Sequence, residues 1–367
     1  RRRYIEHQED TMTNPGLEGV VVADTQISEV DGERGRLVIA GSDVEQLAAS
    51  TGFEGAARLV LAAGGADPAA LGDAAFGAAR AAAWELLPRL GDALDHPDAM
   101  DALRTALGHL RPAAGDAGGP ADAVAAIGAA PVVVAAWSRR RAGGEPVAPD
   151  PALGHAADYL RMTLGRAGDA SCVRALDAYL VTVIDHAMSA STFTARVIAS
   201  TASDLISAMV GAVGALKGPL HGGAPGPVLD MLDAIGAPDR AEAWLLGELA
   251  AGRRIMGMGH RVYRVRDPRA AVLEEAVRPL ASPRLALARA IERAAAKILL
   301  ERKPDRPLAA NVEFYTAVLL DAVGLPREQF SATFAVSRIA GWSAHVLEQR
   351  RTGRLIRPAS HYTGRMP

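Results

Sequence analysis

Apolar and polar positions change rhythm once along the chain, near Ser42. Before it, short β-branched runs are separated by glycines and Asp-Gly: Gly19-Val-Val-Val-Ala-Asp-Thr, Ile27-Ser-Glu-Val and Gly35-Arg-Leu-Val-Ile-Ala-Gly. Such runs predict a small hairpin-like β region over Leu17–Gly41. From Ser42 onward alanine and leucine dominate and apolar residues recur at helical spacing. Ser42-Asp-Val-Glu opens with a capping residue and an acidic first turn, which predicts a helix start. Further helices are expected at Phe53 to the Gly64-Gly65 stop, Pro68–Leu87 and Pro97–Leu110. They continue at Ala121–Arg141 with a break at Pro131, then at Ala152–Leu164, Ser171–His186, Thr192–Ala215 and Ala332–Gln349. Ala113–Pro120 and the proline-rich Gly143–Pro151 read as loop and stiff connector. The expected fold class is all-α with a small N-terminal β region.

Composition narrows the class further. The chain has 367 residues, enough for a large core or two domains. A net charge of −2 implies no general attraction to nucleic acid or to an anionic membrane. The single cysteine, Cys172, excludes an intrachain disulfide framework and fits a reducing cytoplasm. The longest uncharged run, Ala123–Ser138, contains Pro131 and falls short of the roughly 20 apolar residues of a membrane span, so it reads as buried helix. Residues 1–11 have basic residues but no apolar h-region. They read as a flexible arm and not a signal peptide, with Met12 a candidate start.

Three separated pieces carry candidate chemistry. His221 lies in Leu216-Lys-Gly-Pro-Leu-His-Gly-Gly. Pro225 and Pro227 follow where a helix would begin, so His221 is expected near a helix N-terminus, where the dipole favours a neutral ring. A neutral imidazole N–H can donate to a developing oxyanion. His260 follows Gly257-Met258-Gly259 and precedes Arg261, Arg264, Arg266 and Arg269, a set suited to carboxylates or phosphates. Glu313, in Asn311-Val-Glu-Phe-Tyr, is an acid among apolar neighbours. Burial would raise its pKa and make it a base near neutrality. Each piece also has a structural reading: a turn histidine, a solvated basic helix start, a hydrogen-bonding glutamate. His186 sits on an expected apolar helix, where most histidines are satisfied core residues, and Arg338 and Arg357 are equally open. The histidines lack the i, i+4 pairing of a helical zinc site, so no metal is expected. There is no Gly-x-Ser-x-Gly elbow and no dinucleotide fingerprint.

Taken together, these pieces resemble the citrate synthase family, of the bacterial type that includes 2-methylcitrate synthases. The resemblance runs from Gly16-Leu-Glu-Gly-Val-Val to Tyr362-Thr-Gly. It takes in His96-Pro-Asp-Ala-Met-Asp-Ala-Leu-Arg, Ala190-Ser-Thr-Phe-Thr-Ala-Arg, Phe334-Ala-Val-Ser-Arg-Ile-Ala-Gly-Trp-Ser-Ala-His-Val-Leu-Glu-Gln and Arg354-Leu-Ile-Arg-Pro. It implies a helical homodimer with a large domain (12–221 and 322–367) and a small domain (222–321). The implied reaction condenses acetyl-CoA with oxaloacetate and hydrolyses the thioester, with a coenzyme A thioester as substrate and no permanently bound cofactor. By the resemblance His221, His260 and Glu313 are catalytic, and His186, Arg269 and Arg338 bind oxaloacetate. Arg357 reaches the partner subunit's site, and Gly257, Met258, Gly259 and Arg264 contact CoA. The chain departs from the family pattern at four points. Glu313 stands for aspartate, Ala187 for the glutamate of an Asp-His-Glu run, and Ser189 and Pro225 for asparagines. These departures leave three readings: a citrate or 2-methylcitrate synthase, a related Claisen-type enzyme for another 2-oxo acid or acyl-CoA (propionyl-CoA among them), or a metabolite-binding regulatory protein without turnover.

Overall fold

The computed structural model describes residues 16–72, 74–113, 118–221, 225–302 and 308–366. The arm over residues 1–11, Met12, part of the 113–120 loop and Gly222-Gly223-Ala224 lie outside the described residues. An antiparallel ribbon of β1 (Ser28–Asp31), β2 (Arg36–Ile39) and the two-residue β3 (Ser42–Asp43) opens the fold. Ser28 pairs with Ile39 and Asp31 with Arg36, while Val20–Val22, expected as strand, is irregular. The helices follow in order: α1 (Val44–Ser50), α2 (Phe53–Ala63), α3 (Ala75–Trp84), α4 (Ala99–Leu107), α5 (Pro120–Arg141), α6 (His155–Leu164), α7 (Ala170–Thr182), α8 (Ala190–Ser200) and α9 (Leu205–Leu216). After them come α10 (Pro225–Ile235), α11 (Ala241–Ala250), α12 (Pro268–Val277), α13 (Pro283–Arg302), α14 (Val312–Ala322) and α15 (Phe330–Thr352). The architecture is all-α apart from the ribbon.

Helix α5 is the centre of the core and corrects one expectation. It runs unbroken through Pro131, although the ring removes one hydrogen bond, an effect worth roughly 3 kcal/mol in an isolated helix. Ile127, Val132, Val133, Val134 and Trp137 are all buried. At about 1.5–3 kcal/mol for each large apolar side chain, that burial outweighs the lost bond. By length and composition α5 could cross a membrane, but 83% of its apolar window is buried inside the protein, against α3, α4, α6 and α15. Buried Arg80 ties α2, α3 and α6 together through Glu54 and Asp158, both at 2.9 Å.

Two other boundaries matter for the site. The segment expected as one helix over Thr192–Ala215 is two, α8 and α9, capped by Ser189 and Asp204. Helix α7 ends at Thr182, so His186 is not on a helix but in the loop that follows. Helix α15 passes close to that loop. A side chain at Gly341 would collide with the Ile184 carbonyl and the Asp185 carboxylate.

Candidate functional site

Two loops and the starts of two helices build the site. The first loop, 185–189, carries His186. Asp185 anchors it from the core through Oδ2, which accepts from the Ser28 hydroxyl, from Ala187 N–H (3.1 Å) and from His345 Nε2 (3.3 Å). Burial raises the Asp185 pKa, but His345, Arg338 and Ser28 outweigh it and hold the carboxyl below its ordinary value. Ala187 has φ +47°, a left-handed conformation unusual for alanine. Ser189 then caps α8, accepting from Thr192 N–H. Serine and asparagine are both good caps, so this departure from the family pattern keeps the local fold.

The second loop, 257–267, carries His260. Gly257 and Gly259 have φ +72° and +86°, and a side chain at Gly257 would meet Phe314, so the turn needs glycine. The loop pairs with 309–311: Gly259 N–H donates to Ala309 O (2.7 Å) and Asn311 N–H to Gly257 O (2.9 Å). Asn311 serves both sides. Its side-chain NH₂ donates to Gly259 O (2.9 Å), and its Oδ1 accepts from Glu313 N–H (3.0 Å) as the cap of α14. His260 Nδ1 accepts the backbone N–H groups of Val262 (3.0 Å) and Tyr263 (3.2 Å). Its ring proton is thereby held on Nε2.

These elements bring most of the expected residues together. The His186 and His260 rings meet edge-on at 5.5 Å, and Tyr263 packs on both, its hydroxyl 3.1 Å from His186 Nε2. Arg269, on the first turn of α12, is held by Asp267 at Nε (3.0 Å) and Nη2 (2.7 Å). Burial lowers the Arg269 pKa, but the Asp267 carboxylate more than offsets it. Arg338 on α15 is 1% exposed, donates Nε–H to Val183 O (2.7 Å) and stacks on Phe334. Its Nη2 is buried without a partner. Burial, reinforced by Arg269, brings its pKa down to about 10, against the pull of Asp185.

His221 Nε2 lies 2.8 Å from Ser191 Oγ, which also accepts the Trp342 indole N–H at 3.1 Å. The turn holding His221 precedes α10, but the connecting residues lie outside the described set. Burial and Arg338 lower the His221 pKa to about 4. Burial and Arg269 do the same for His260. His186 is also driven well below its ordinary value by burial, Arg269, His260 and Arg338. All three imidazoles are neutral at pH 7. Glu313 sits on the first turn of α14 with Oε2 unpartnered. Burial raises its pKa to about 7; Arg269 and Arg338 hold it down from higher, and Asp267 pushes it up.

Some expected residues stand apart. Arg264 and Arg261 are exposed at the loop rim, and Arg266 is committed to Glu292 (2.7 Å) and Glu274 (2.7 Å), so it belongs to the scaffold. Of the basic run, Arg261, Arg264 and Arg266 are in the loop and Arg269 alone is on a helix start, since α12 begins at Pro268. Arg357 is exposed. Its neighbour Ile356 donates N–H to Ser200 Oγ at the far end of α8, nine residues or about 13 Å of helix from Ser191. Among the described residues no group of three His, Cys, Asp or Glu is placed to hold a metal ion. Tyr263, Ser191, Trp342 and Asp267 were not singled out by sequence. Each acts through a contact with a distant segment or through a neighbour that looked more reactive.

The arrangement is one that can do general-base chemistry: a carboxyl with its pKa near neutrality, neutral imidazoles, and a floor of buried guanidinium. A family model for the citrate synthase C-terminal domain matches residues 16–359. The putative citrate synthase 2 of Mycobacterium tuberculosis is 39% identical over 96% of this chain and 93% of its own. The 2-methylcitrate synthase of the same species is 36% identical over 95% and 90%. The structure of the Thermoplasma acidophilum citrate synthase, a ternary complex with carboxymethyl coenzyme A and oxaloacetate, superposes with a TM-score of 0.84 at 27% identity over 97% of both chains. The chain belongs to the citrate synthase family and is an acyltransferase of the Claisen-condensing kind.

Proposed function

We propose that this protein condenses acetyl-CoA with oxaloacetate and hydrolyses the resulting thioester to citrate and CoA. Arg338 is the observation that carries the reading. A guanidinium 1% exposed, with Nη2 unpartnered and no carboxylate bonded to it among the described residues, is costly unless a ligand anion completes it. Arg269, with two of its nitrogens already taken by Asp267, and His186 lie beside it. A dicarboxylic 2-oxo acid matches that charge, as does the oxaloacetate in the Thermoplasma complex.

In this reading His260 Nε2–H donates to the ketone oxygen and makes its carbon electrophilic. Glu313 takes a methyl proton from acetyl-CoA. His221 donates to the thioester oxygen as the enolate forms. Trp342 already donates to Ser191, so the serine hydroxyl proton is free for His221 Nε2, and the ring proton then lies on Nδ1 for the enolate. The enolate carbon attacks the ketone carbon, and the π pair moves to the oxygen. That oxygen takes the His260 Nε2 proton, and the proton held on Glu313 makes up the one His260 has given. Water then attacks the thioester carbonyl, the C–S bond breaks, and CoA leaves with a proton. The Gly257-Met258-Gly259 turn and exposed Arg264 are the proposed CoA contacts. The domain division (12–221 with 322–367 against 222–321), a homodimer in which Arg357 reaches the neighbouring site, a cytoplasmic location and the need for no bound cofactor belong to the same proposal.

The test is thiol release from acetyl-CoA and, in parallel, propionyl-CoA with oxaloacetate, for wild type and Glu313→Asp. Wild-type turnover of about 1–1,000 per second with acetyl-CoA supports the reading. Preference for propionyl-CoA reassigns it to 2-methylcitrate synthesis. Activity confined to the aspartate variant makes the longer base the defect, because a misplacement of about 1 Å can cost roughly 100-fold. Silence from both variants, with oxaloacetate still bound, favours a regulatory role.

A further inference from the structure

The His186 and His260 loops contain no helix or strand, and among the described residues the direct hydrogen bond between them is that of the Tyr263 hydroxyl with His186 Nε2. A single bond of that kind, worth about 1 kcal/mol, is too weak to fix two loops in register. The N-terminal ribbon touches both. At the start of β1, the Ser28 hydroxyl donates to the Asp185 carboxylate and accepts from Ala187 N–H at 2.9 Å, so one side chain holds the residues on both sides of His186, one by its carboxylate and one by its backbone. In the turn between β1 and β2, Gly32 O accepts from Arg264 N–H at 2.9 Å. A methyl group on Gly32 would run into the Val262 carbonyl, and one on Gly35 would lie 2.6 Å from Val265 Cγ2 and 3.2 Å from Arg266 O. Glu33 faces Arg264 at 3.9 Å. The turn therefore lies flush on 262–266, and Val262 and Tyr263 are the residues whose N–H groups orient the His260 ring. Strand β1 runs from Ser28 to Asp31, about 10 Å of extended backbone, and Gly32 follows it directly, so the two contacts are held at a fixed spacing.

We propose that the N-terminal hairpin is a clasp that sets the His186 and His260 loops relative to each other, with Ser28 and Gly32 as its two positioning residues. The bearing on catalysis rests on the function proposed above, since these loops then hold one 2-oxo acid between them. Neither residue touches the reacting atoms. A loop bonded to a rigid ribbon keeps its imidazole in place before substrate arrives, so less ordering is charged to binding.

Ser28→Ala, Ser28→Thr and Gly32→Ala decide it, with Arg36→Ala as the control. Arg36 lies on the same hairpin, but its side chain is 56% exposed and paired with Asp43. Amide hydrogen exchange is read over 185–189 and 260–266, and KM for each substrate is measured. Ser28→Ala is expected to speed exchange over 185–189 and to raise the oxaloacetate KM about tenfold, the equivalent of one lost bond to a charged group. The acyl-CoA KM should stay within about twofold, and threonine should restore both readouts. Gly32→Ala is expected to speed exchange over 260–266 and lower kcat, and Arg36→Ala to change neither. Unchanged exchange in Ser28→Ala and Gly32→Ala overturns the clasp, as does faster exchange with wild-type oxaloacetate KM. Should wild type release no CoA from any thioester tried, the proposed reaction falls. The exchange measurements alone then decide the clasp, unchanged rates sinking it and faster rates sustaining it.

Discussion

Glu313 is where this chain's chemistry is most its own. Its carboxyl has a pKa of about 7 because burial disfavours the charge more than Arg269 and Arg338 favour it. A base must be ionised to act, so kcat/KM for the acyl-CoA should rise with pH through an apparent pKa near 7. Below about pH 6 it should fall roughly tenfold per unit. His221 and His260, at about 4, stay neutral over that range and add no second limb above pH 5. The same shift has a stability consequence of definite sign. The folded pKa lies above the reference value of 4.5, so the folded state binds this proton more tightly than the unfolded chain does. The contribution is absent below pH 4.5, destabilises increasingly from 4.5 to 7, and reaches at most about 3 kcal/mol above pH 7. Glu313→Gln should therefore abolish thiol release and yet melt higher than wild type at pH 8, with the two curves converging at pH 4. A variant that melts lower at pH 8 would show that the carboxylate is not strained where it sits. Ser191 gives a milder test. Removing its hydroxyl frees the His221 ring without touching the oxaloacetate floor, so Ser191→Ala should lower kcat by about 10- to 100-fold with oxaloacetate KM nearly unchanged.

Among the elements, the cap of α14 joins scaffold to chemistry. Asn311 holds the first turn carrying Glu313 with one side-chain atom and the Gly257–Gly259 turn with the other. Asn311→Ala loses a cap and a second hydrogen bond, about 2 kcal/mol together, and Asn311→Asp keeps the cap and loses about half as much. Both values are readable by urea titration, and a smaller loss in alanine than in aspartate would contradict this double role. How far such elements can be read from sequence depends on the range of the forces that set them. The Gly64 stop of α2 follows local propensity and appears where periodicity puts it, whereas the alanine-rich stretch expected as one helix over Pro68–Leu87 is α-helical only as α3, Ala75–Trp84, after a tight turn at Pro68–Ala70. Pro131 misleads because the local signal says break, while burial of α5 on all sides says continue. His186 is displaced from helix to loop because α7 ends at Thr182, without a glycine or proline to mark the stop. The site motifs are legible as chemistry-bearing types. Their supporting contacts are not, since Ser28 to Asp185 and Ser191 to Trp342 join segments more than 150 residues apart with no trace in either stretch.

At the scale of the whole molecule, the C-terminal segment has yet to find its use within one chain. Residues 353–366 are exposed apart from half-buried Ile356, and Leu355, Tyr362 and Met366 present apolar surface. The segment is tied back by Ile356 N–H on Ser200 and by Gln349 on the Arg354 carbonyl, which leaves Arg357 beyond the far end of α8 from Ser191 and His221. The proposed homodimer gives this segment a use: in a two-fold dimer each Arg357 would complete the opposite site. Subunit mixing separates that arrangement from a tail that serves only to hold copies together. Arg357→Ala and His221→Ala dimers should each be nearly inactive. Unfolding and refolding them together at equal concentration makes about half of the dimers mixed. Each mixed dimer has one site with both His221 and Arg357 intact and one site with neither, so about a quarter of wild-type activity should return. If Arg357 served its own chain's site, no site in the mixture would be whole and activity would stay at the level of the separate variants.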